Sequence, residues 1–421
     1  TFDNLAECID KVINEFKLKN KVTLIVTDNA ANFVKAFRVF NSDCEQSTEG
    51  TVDDGIDVTD VNEIPMNVEV TDLLETQDIE SSFCFSLPPH QRCAAHTLNL
   101  IATVDANDAE KDVAYKVISK KVFSKCQALF NKQNQSVLSA EKIRDHLGRY
   151  IITPNATRWN SFYDAMKCIM TNIDKINILC IDLQLPSISS PREVSFLKEY
   201  CDVMKPIAKA LDLLQGVKFV SLGYLLPTIS AIHKALNDIS GVNLCKPLVI
   251  ALKRGLNKRF NRYMDSKSCQ VAACLIPKFK LNWTNSENCN EIKQTFLEFI
   301  TDNAQLTETN LAVTTTASTD NNSSDSEEDF FRLNNYETNE NNDIQLIINN
   351  YFSNTNIKSP LDLPLVLRNA YIQCNTAIPS SAHVERLFSA GGQLLNKRRG
   401  SMADKNFEMT LLLKFNKYFT D

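Results

Sequence analysis

The chain opens with an apolar pattern of helical spacing and then changes to a strand pattern. Apolar residues recur every three or four positions at Phe2, Leu5, Ile9, Val12, Ile13 and Phe16, which predicts one buried helix face. The β-branched run at 22–27 predicts a strand that ends before Asp28, and helical spacing returns at 33–40. The nearest second strand candidate is 83–87. Because one strand cannot form a sheet, we expect further strands upstream of Thr1.

From residue 92 onward almost the whole chain has helical spacing. The clearest apolar stripes cover residues 159–173, 194–214 and 222–236. Later helices are predicted near 344–352, 365–374, 380–395 and 403–419. The pattern predicts an α/β fold that is mainly α, with a helical block at 92–301.

Charge is distributed unevenly along the chain. The net charge is −6, but residues 41–82 hold 13 Asp/Glu and no Lys/Arg, while 302–343 hold 10 Asp/Glu and one basic residue, Arg332. The rest of the chain has 44 Lys/Arg against 28 Asp/Glu. Such a body attracts polyanions, although ordinary solvated helix faces explain the charge equally well. Segment 302–343 has few large apolar residues, which predicts a disordered acidic linker.

Composition and motifs exclude several classes of protein. No apolar run approaches the ~20 residues of a membrane span, so we expect no membrane association. The 13 cysteines include no CxxC pair, which favours a reducing compartment and predicts no zinc site. There is no Walker loop, GxGxxG fingerprint, GxSxG elbow or HExxH helix, which argues against nucleotide-binding, hydrolase and metalloprotease functions.

Four residues are candidates for chemistry, each with a simpler alternative. Asp28 follows a strand, where it is either a metal ligand or, more commonly, a helix cap. Glu385 lies on a late helix and is either a ligand or a solvated glutamate. Cys93 and His96 lie three positions apart on one helix face; a buried cysteine and a hydrogen-bonded histidine are favoured over a metal half-site.

Two further groups combine basic or aromatic residues near helix ends. Arg158 can contact phosphate, and Trp159 beside it more simply packs in a core. Lys397, Arg398 and Arg399 end a helix before a glycine, where they either complement the helix dipole or contact phosphate. Two late apolar helix faces serve as core or as interface. These faces carry Leu387, Phe388, Leu411, Leu412 and Phe415.

Six sequence blocks in this order resemble the hAT superfamily of DNA transposases, and more narrowly the BED-type zinc-finger proteins derived from it. The blocks are TDNAANF, RCAAHTLNLI, ATRWNSFYDAM, LQGVKFVSLGYLLPTI, AACLIPKFK and PSSAHVERLFSAGGQLLNKRRGSM. The last block is the most specific.

The resemblance implies a truncated RNase H-like fold split by a large helical insertion. Residues 1–130 are then a partial catalytic domain with an acidic loop at 41–82, and 131–301 are the insertion. Residues 302–343 are the linker, and 344–421 hold the last RNase H-like helix and a dimerisation region. The late apolar faces accordingly become a dimer interface.

The resemblance also implies roles for individual residues. Asp28 matches the second and Glu385 the third of three carboxylates that hold Mg²⁺ or Mn²⁺ for DNA cleavage. The first carboxylate is expected upstream of Thr1. Cys93 and His96 match a CxxH element, with His96 supporting catalysis. Trp159 is implied to stack near a flipped base.

The chain departs from the family pattern in four respects: it has no BED finger, no first carboxylate, no complete sheet and no tryptophan-rich stretch before the dimerisation region. We therefore expect a nuclear, transposase-derived protein that binds DNA and forms homodimers or larger homo-oligomers, without catalysis by this chain alone. One alternative is a fragment of an active transposase that uses Mg²⁺. Another is a structural partner protein that does not bind DNA.

Overall fold

The computed structural model of the protein is mainly helical, with a small two-stranded parallel sheet. This confirms the mainly α character predicted from the sequence. The structure describes residues 1–40, 86–155, 160–216, 220–315, 340–395 and 402–416, with the backbone alone at 305–315 and 340–343. The chain divides into two compact units. Unit 1 contains Thr1–Ile25 and Ala30–Gln91, and unit 2 contains Val26–Asn29 and Arg92–Asp421.

Unit 1 is built around two helices, α1 (Phe2–Glu15) and α2 (Ala31–Val39). The Thr1 side chain caps α1 by accepting the N–H of Asn4. The helices pack against each other over a small core of Ala6, Ala36, Phe37, Phe40 and Leu87. The opening helix predicted from its apolar spacing is therefore confirmed.

The two strands are shorter than the sequence predicted, and the second is in a different place. They are β1 (Ile25–Thr27) and β2 (His90–Arg92). Leu87, the last residue of the strand candidate at 83–87, forms an isolated β-bridge, and residues 83–85 lie outside the described residues. His90–Arg92 has no run of β-branched residues; its pairing depends on where the chain passes, which periodicity does not report.

Unit 2 contains the remaining helices. They are α3 (Ala94–Thr103), α4 (Val113–Gln135), α5 (Val137–Leu147), α6 (Ser161–Thr171), α7 (Ile173–Asp182), α8 (Pro191–Leu214), α9 (Leu225–Asp238), α10 (Lys246–Met264), α11 (Lys267–Cys274), α12 (Cys289–Thr315), α13 (Glu340–Ser353), α14 (Leu365–Asn375), α15 (Ala382–Leu394) and α16 (Asp404–Phe415). Short 3₁₀ helices lie at Asp105–Lys111, Leu222–Tyr224 and Pro360–Asp362.

Helix α8 is the central element of unit 2. It starts with Pro191, whose fixed φ suits the first helical position. Its apolar stripe is buried against α3, α4, α6 and α9. Glu193 on the same helix is almost fully buried and pairs with Lys125 at 2.7 Å and with Lys121 at 3.0 Å. The stripe predicted at 194–214 thus forms a core helix.

The predicted linker at 302–343 is shorter than expected. Helix α12 continues to Thr315 and α13 begins at Glu340, so the predicted boundaries fall inside helices. Extending an existing helix costs less than starting one, which lets α12 run into polar sequence. Residues 316–339 and the acidic loop at 41–82 lie outside the described residues. Across the described ranges, no helix is long and apolar enough to cross a membrane.

Candidate functional site

The buried Cys93 joins distant parts of unit 2. It is the N-cap residue of α3, and its Sγ accepts the N–H of His96 at 3.3 Å. The same sulfur accepts the N–H of Ser381, just before α15, at 3.3 Å. The thiol also donates to the Ser380 hydroxyl, with Sγ and Oγ 3.7 Å apart. One side chain therefore connects the start of α3 with the start of α15, which lies more than 280 positions later in the chain.

Backbone hydrogen bonds reinforce this connection. The N–H of Cys93 donates to the carbonyl of Thr27 at 2.6 Å, and the N–H of Ala94 donates to the carbonyl of Pro379 at 2.9 Å. The end of β1, the start of α3 and the start of α15 consequently meet. We call this region the Cys93 junction and define it as residues 27–29, 93–97 and 379–385.

The junction holds the elements that carry Asp28, His96 and Glu385. Asp28 and His96 are partly buried, and Glu385 is exposed in the first turn of α15. The Ser381 hydroxyl donates to Glu385 Oε1 at 3.0 Å. An acidic side chain in a first turn also interacts favourably with the helix dipole.

The sequence also allowed simpler structural roles for Asp28 and for Cys93, and the structure bears on each. Helix α2 has Ala30, two positions after Asp28, as its cap residue. Cys93 is buried and hydrogen-bonded, as its simpler alternative predicted. Its sulfur already binds two backbone N–H groups, which disfavours a metal half-site with His96.

Two buried polar atoms at the junction have no hydrogen-bond partner among the described residues: Asn29 Oδ1 and His383 Nδ1. Asn29 Nδ2 donates to Thr97 Oγ1 at 3.5 Å. Burial lowers the pKa of His383, and Arg386 lowers it further, which favours a neutral imidazole. Unpaired buried polar atoms are rare in folded proteins. Sequence reasoning missed both residues, whose only signal was proximity to Asp28 and Glu385.

The donor atoms at the junction suit a hard cation in their chemistry. Carboxylate and amide oxygens, as in Asp28, Glu385 and Asn29, are the ligands that Mg²⁺ prefers. Within the residues that the structure describes, however, no three His, Cys, Asp or Glu side chains form a group that could hold a metal ion.

The residues expected to contact DNA lie outside the described residues. These are Arg158, Trp159, Lys397, Arg398 and Arg399. Asn160 follows Arg158 and Trp159 in the chain. Its Nδ2 donates to the Ala208 carbonyl at 2.8 Å and to Asp212 Oδ1 at 2.7 Å. This end of α6 is thereby fixed to α8.

Helix α10 carries a basic face that sequence reasoning missed. Its sequence KPLVIALKRGLNKRFNRYM contains six Lys/Arg and no Asp/Glu. This composition is the sequence feature that indicates a basic face. Arg259 binds Asp105 through two bonds of 2.6 and 2.9 Å. Four other basic side chains of α10 are exposed: Lys246, Arg254, Lys258 and Arg262. A basic helix face of this kind can attract a phosphate backbone.

The late apolar faces are only partly buried. Leu387 and Leu411 are partly buried, whereas Phe388, Leu412 and Phe415 are exposed, and Phe388 is 72% accessible. Helices α15 and α16 pack against each other. Core packing was one of the two roles considered for these faces. The three exposed residues do not pack in the core of this chain.

Comparisons with known proteins do not identify a family. No family model matches the chain, and no curated protein matches its sequence. The Cys93 junction, the basic face of α10 and the apolar faces of α15 and α16 are therefore the features from which a function can be argued.

Proposed function

We propose that the chain is a transposase-derived protein that binds DNA and self-associates, with an RNase H-like core of the hAT type split by a helical insertion. The observation that carries the proposal is the Cys93 junction. It brings the end of β1 against α3, and α3 against a helix that starts nearly 290 positions later in the chain. The hAT resemblance requires this meeting of strand end and late helix, because Asp28 and Glu385 lie on those two elements.

DNA binding is supported by the charge of the helical region. The exposed basic side chains of α10 lie at helical spacing on one side of the helix. Outside the two acidic segments the chain has an excess of Lys/Arg. Neutralising phosphates with such side chains releases counterions, which favours binding without sequence preference.

Self-association is supported by the exposed apolar side chains near the end of the chain. Phe388 on α15 and Leu412 and Phe415 on α16 are exposed together with Val384 and Leu413. Contiguous exposed apolar surface marks interaction sites more often than isolated residues do. A second copy of the chain supplies a matching surface in a two-fold dimer.

Charge-removing substitutions on α10 test DNA binding. In the double variant Lys246→Gln/Lys258→Gln, we expect weaker binding to duplex DNA and a smaller dependence on salt, by about one unit of slope per lost phosphate contact. Lys19→Gln/Lys21→Gln removes two exposed charges from unit 1 and is the matched control. Equal affinity of the α10 variant and the unsubstituted chain would remove this helix from the interface.

A second candidate is metal-dependent DNA cleavage. It is favoured by the two carboxylates carried on the elements of the junction and by the unpaired Asn29 Oδ1 and His383 Nδ1. When bound, Mg²⁺ or Mn²⁺ would supply charge stabilisation for strand cleavage. Asp28 and Glu385 are the residues that would hold it.

Nicking of DNA that contains transposon-like ends tests this candidate. If cleavage requires Mg²⁺ or Mn²⁺, Asp28→Asn and Glu385→Gln should each abolish it, while Glu15→Gln, an exposed carboxylate of α1, should leave it intact. Cleavage that persists in both junction variants would exclude these carboxylates from the reaction. Specific binding without nicking in either metal would favour the DNA-binding function.

A further inference from the structure

Unit 2 contains a cavity of about 290 Å³ that has no role in the proposed function. It lies among the 3₁₀ helix Asp105–Lys111 and helices α3, α4, α6, α8 and α10. Its volume is close to the lower end of the range for small-molecule sites. The wall is mainly apolar, as is usual for such a site, and includes Met204, Ile207, Leu211 and Leu248.

Two tyrosines in this wall carry hydroxyl groups that the protein does not pair. Tyr115 and Tyr200 are only 5% and 7% exposed. The backbone N–H of Tyr115 binds Asp112 at 2.8 Å. The two side chains contact Phe123 and Phe196 through their rings. Among the residues that the structure describes, neither hydroxyl takes part in a hydrogen bond.

Other buried tyrosines of the same chain do have partners. Tyr351 donates its O–H to the Cys274 carbonyl at 2.7 Å, and the Tyr263 oxygen accepts a bond from Arg262 at 2.7 Å. A buried tyrosine usually pairs its hydroxyl in this way, because a buried polar group without a hydrogen bond costs stability. Phenylalanine would fill the same space at the cavity without that cost. The two hydroxyls therefore favour a partner that comes from outside the chain.

The two phenols are neutral hydrogen-bond donors near neutral pH. Burial raises the pKa of both, and the Tyr115 phenol raises the pKa of Tyr200 further, which requires the two groups to lie near each other. Among the described residues that line the cavity, Glu110 carries the only charge, and it repels an anion. The donors are therefore best matched by a neutral acceptor. A carbonyl oxygen has two lone pairs, so one such atom can accept from both hydroxyls.

We propose that this cavity binds a small neutral organic molecule with a carbonyl oxygen on an apolar body. The oxygen accepts hydrogen bonds from the Tyr115 and Tyr200 hydroxyls, and the body packs against the apolar wall. A hydrocarbon of the same shape gains the apolar contacts but no hydrogen bond. The hydrogen bonds therefore separate this proposal from a general apolar pocket.

Calorimetric titration of the full chain tests the proposal with two probes of nearly equal shape. Acetophenone carries the carbonyl oxygen, and α-methylstyrene replaces that oxygen with a CH₂ group. We expect Tyr115→Phe and Tyr200→Phe each to weaken acetophenone binding by about two- to tenfold, the usual effect of one lost hydrogen bond. Neither variant should weaken α-methylstyrene. Comparing each probe with itself across the variants removes the difference in hydration between the probes.

Two results would overturn the proposal. One is that acetophenone does not bind at millimolar concentration. The other is that the two variants change the binding of both probes equally, or change neither, because the hydroxyls then make no bond to the carbonyl oxygen.

Thermal melts by circular dichroism give a second, independent measurement. Since their hydroxyls have no partner in the described chain, Tyr115→Phe and Tyr200→Phe should melt at the same Tm as the unsubstituted chain or higher. Tyr351→Phe is the matched control: it loses the bond to Cys274 and should lower Tm, but it should leave acetophenone binding unchanged. A loss of Tm in both cavity variants as large as in Tyr351→Phe would show that the chain itself pairs these hydroxyls and would contradict the proposal. Lys246 and Lys258 do not line this cavity, so this proposal and DNA binding can fail independently.

Discussion

At the scale of single residues, the junction depends on a sulfur atom used as a hydrogen-bond acceptor. Cys93 is fully buried and binds the N–H groups of His96 and Ser381. The N–H of His96 belongs to the first turn of α3, where backbone donors have no partner within the helix, and the N–H of Ser381 immediately precedes α15. The sulfur thus accepts hydrogen bonds from two partly buried backbone donors.

Replacing this sulfur should destabilise the protein measurably. We expect Cys93→Ala to lower the free energy of unfolding by about 1–3 kcal/mol, because it leaves two backbone donors without an acceptor. Cys93→Ser keeps an acceptor and should lose less. Urea denaturation measures both, with Cys8→Ala as the control because Cys8 is exposed. Equal midpoints for Cys93→Ala and Cys8→Ala would show that the sulfur does not hold the junction together.

The histidine on α9 gives stability a defined pH dependence. Burial lowers the pKa of His233, and Lys253 on α10 lowers it further. Below the unfolded-state pKa of about 6.5, the unfolded chain takes up a proton that the folded chain resists. The contribution of His233 is therefore present above pH ~6.5 and is lost as the pH falls through this value.

Urea denaturation at several pH values from about 7.5 down to 5.5 tests the direction of this pH dependence. The free energy of unfolding should fall with pH, and His233→Gln should make that fall shallower. The control variant is His146→Gln, because the side chain of His146 is more exposed than that of His233. A His233→Gln curve parallel to that of the unsubstituted chain would assign the pH dependence to other groups.

At the scale of elements, the packing of α10 against the 3₁₀ helix Asp105–Lys111 requires a glycine. A Cβ on Gly255 would lie 2.7 Å from Asp105 Oδ2 and 2.9 Å from Asp105 Cβ. Asp105 cannot easily move, since Arg259 holds its carboxylate through two bonds. The missing side chain at Gly255 therefore sets the approach of the two elements.

Two glycine substitutions separate packing from helix propensity. Gly255→Ala should lower the free energy of unfolding by about 1–3 kcal/mol, because the clash outweighs the gain in propensity. Gly392→Ala on α15, where a Cβ meets no atom within 4 Å, should be neutral or stabilise by about 0.5 kcal/mol. Thermal or urea unfolding measures both. Stabilisation by both substitutions would contradict the close approach described for α10.

The sequence predicted helices well and strands poorly, for physical reasons visible in particular elements. Helix α8 buries one continuous apolar stripe, and α1 buries part of its stripe while Val12 and Phe16 are exposed, so a period of 3.6 residues reports both helices. Strand β2 (His90–Arg92) has no such pattern, because three paired residues are placed by their neighbours in space. The polar end of α12 was missed because propagation of a helix does not require apolar residues.

The candidate site was predictable only in part. Asp28, His96 and Glu385 were selected because their sequence blocks resemble a known superfamily, and the structure brings their elements together. Asn29 and His383 were not selected, because an unpaired buried atom depends on everything packed around it. Periodicity and spacing carry no information about such an atom.

At the scale of the whole molecule, exposed apolar side chains near the end of the chain favour self-association. We expect sedimentation mass to rise with protein concentration, and Phe388→Asp/Leu412→Asp to give a monomer, because charge at an apolar interface is costly. Val137→Asp, which changes an exposed valine of α5, is the control. A monomer mass that does not change with concentration in the unsubstituted chain would refute the dimer.

Charge is the other property of the whole molecule, and it bears on the proposed binding of DNA. The basic side chains of α10, and Lys397, Arg398 and Arg399 in the sequence, are the proposed phosphate contacts. Each contact should contribute close to one unit of slope in a plot of log affinity against log salt concentration. A structural partner protein has no reason to show this dependence.

The most direct test is therefore the affinity of the chain for duplex DNA, measured by fluorescence anisotropy between about 50 and 300 mM KCl. We predict binding that weakens steeply with salt, with a slope of roughly −3 or steeper, and a smaller slope for Lys397→Gln/Arg398→Gln/Arg399→Gln. No binding at low salt, or an affinity that does not change with salt, would contradict the DNA-binding function and favour a protein partner instead.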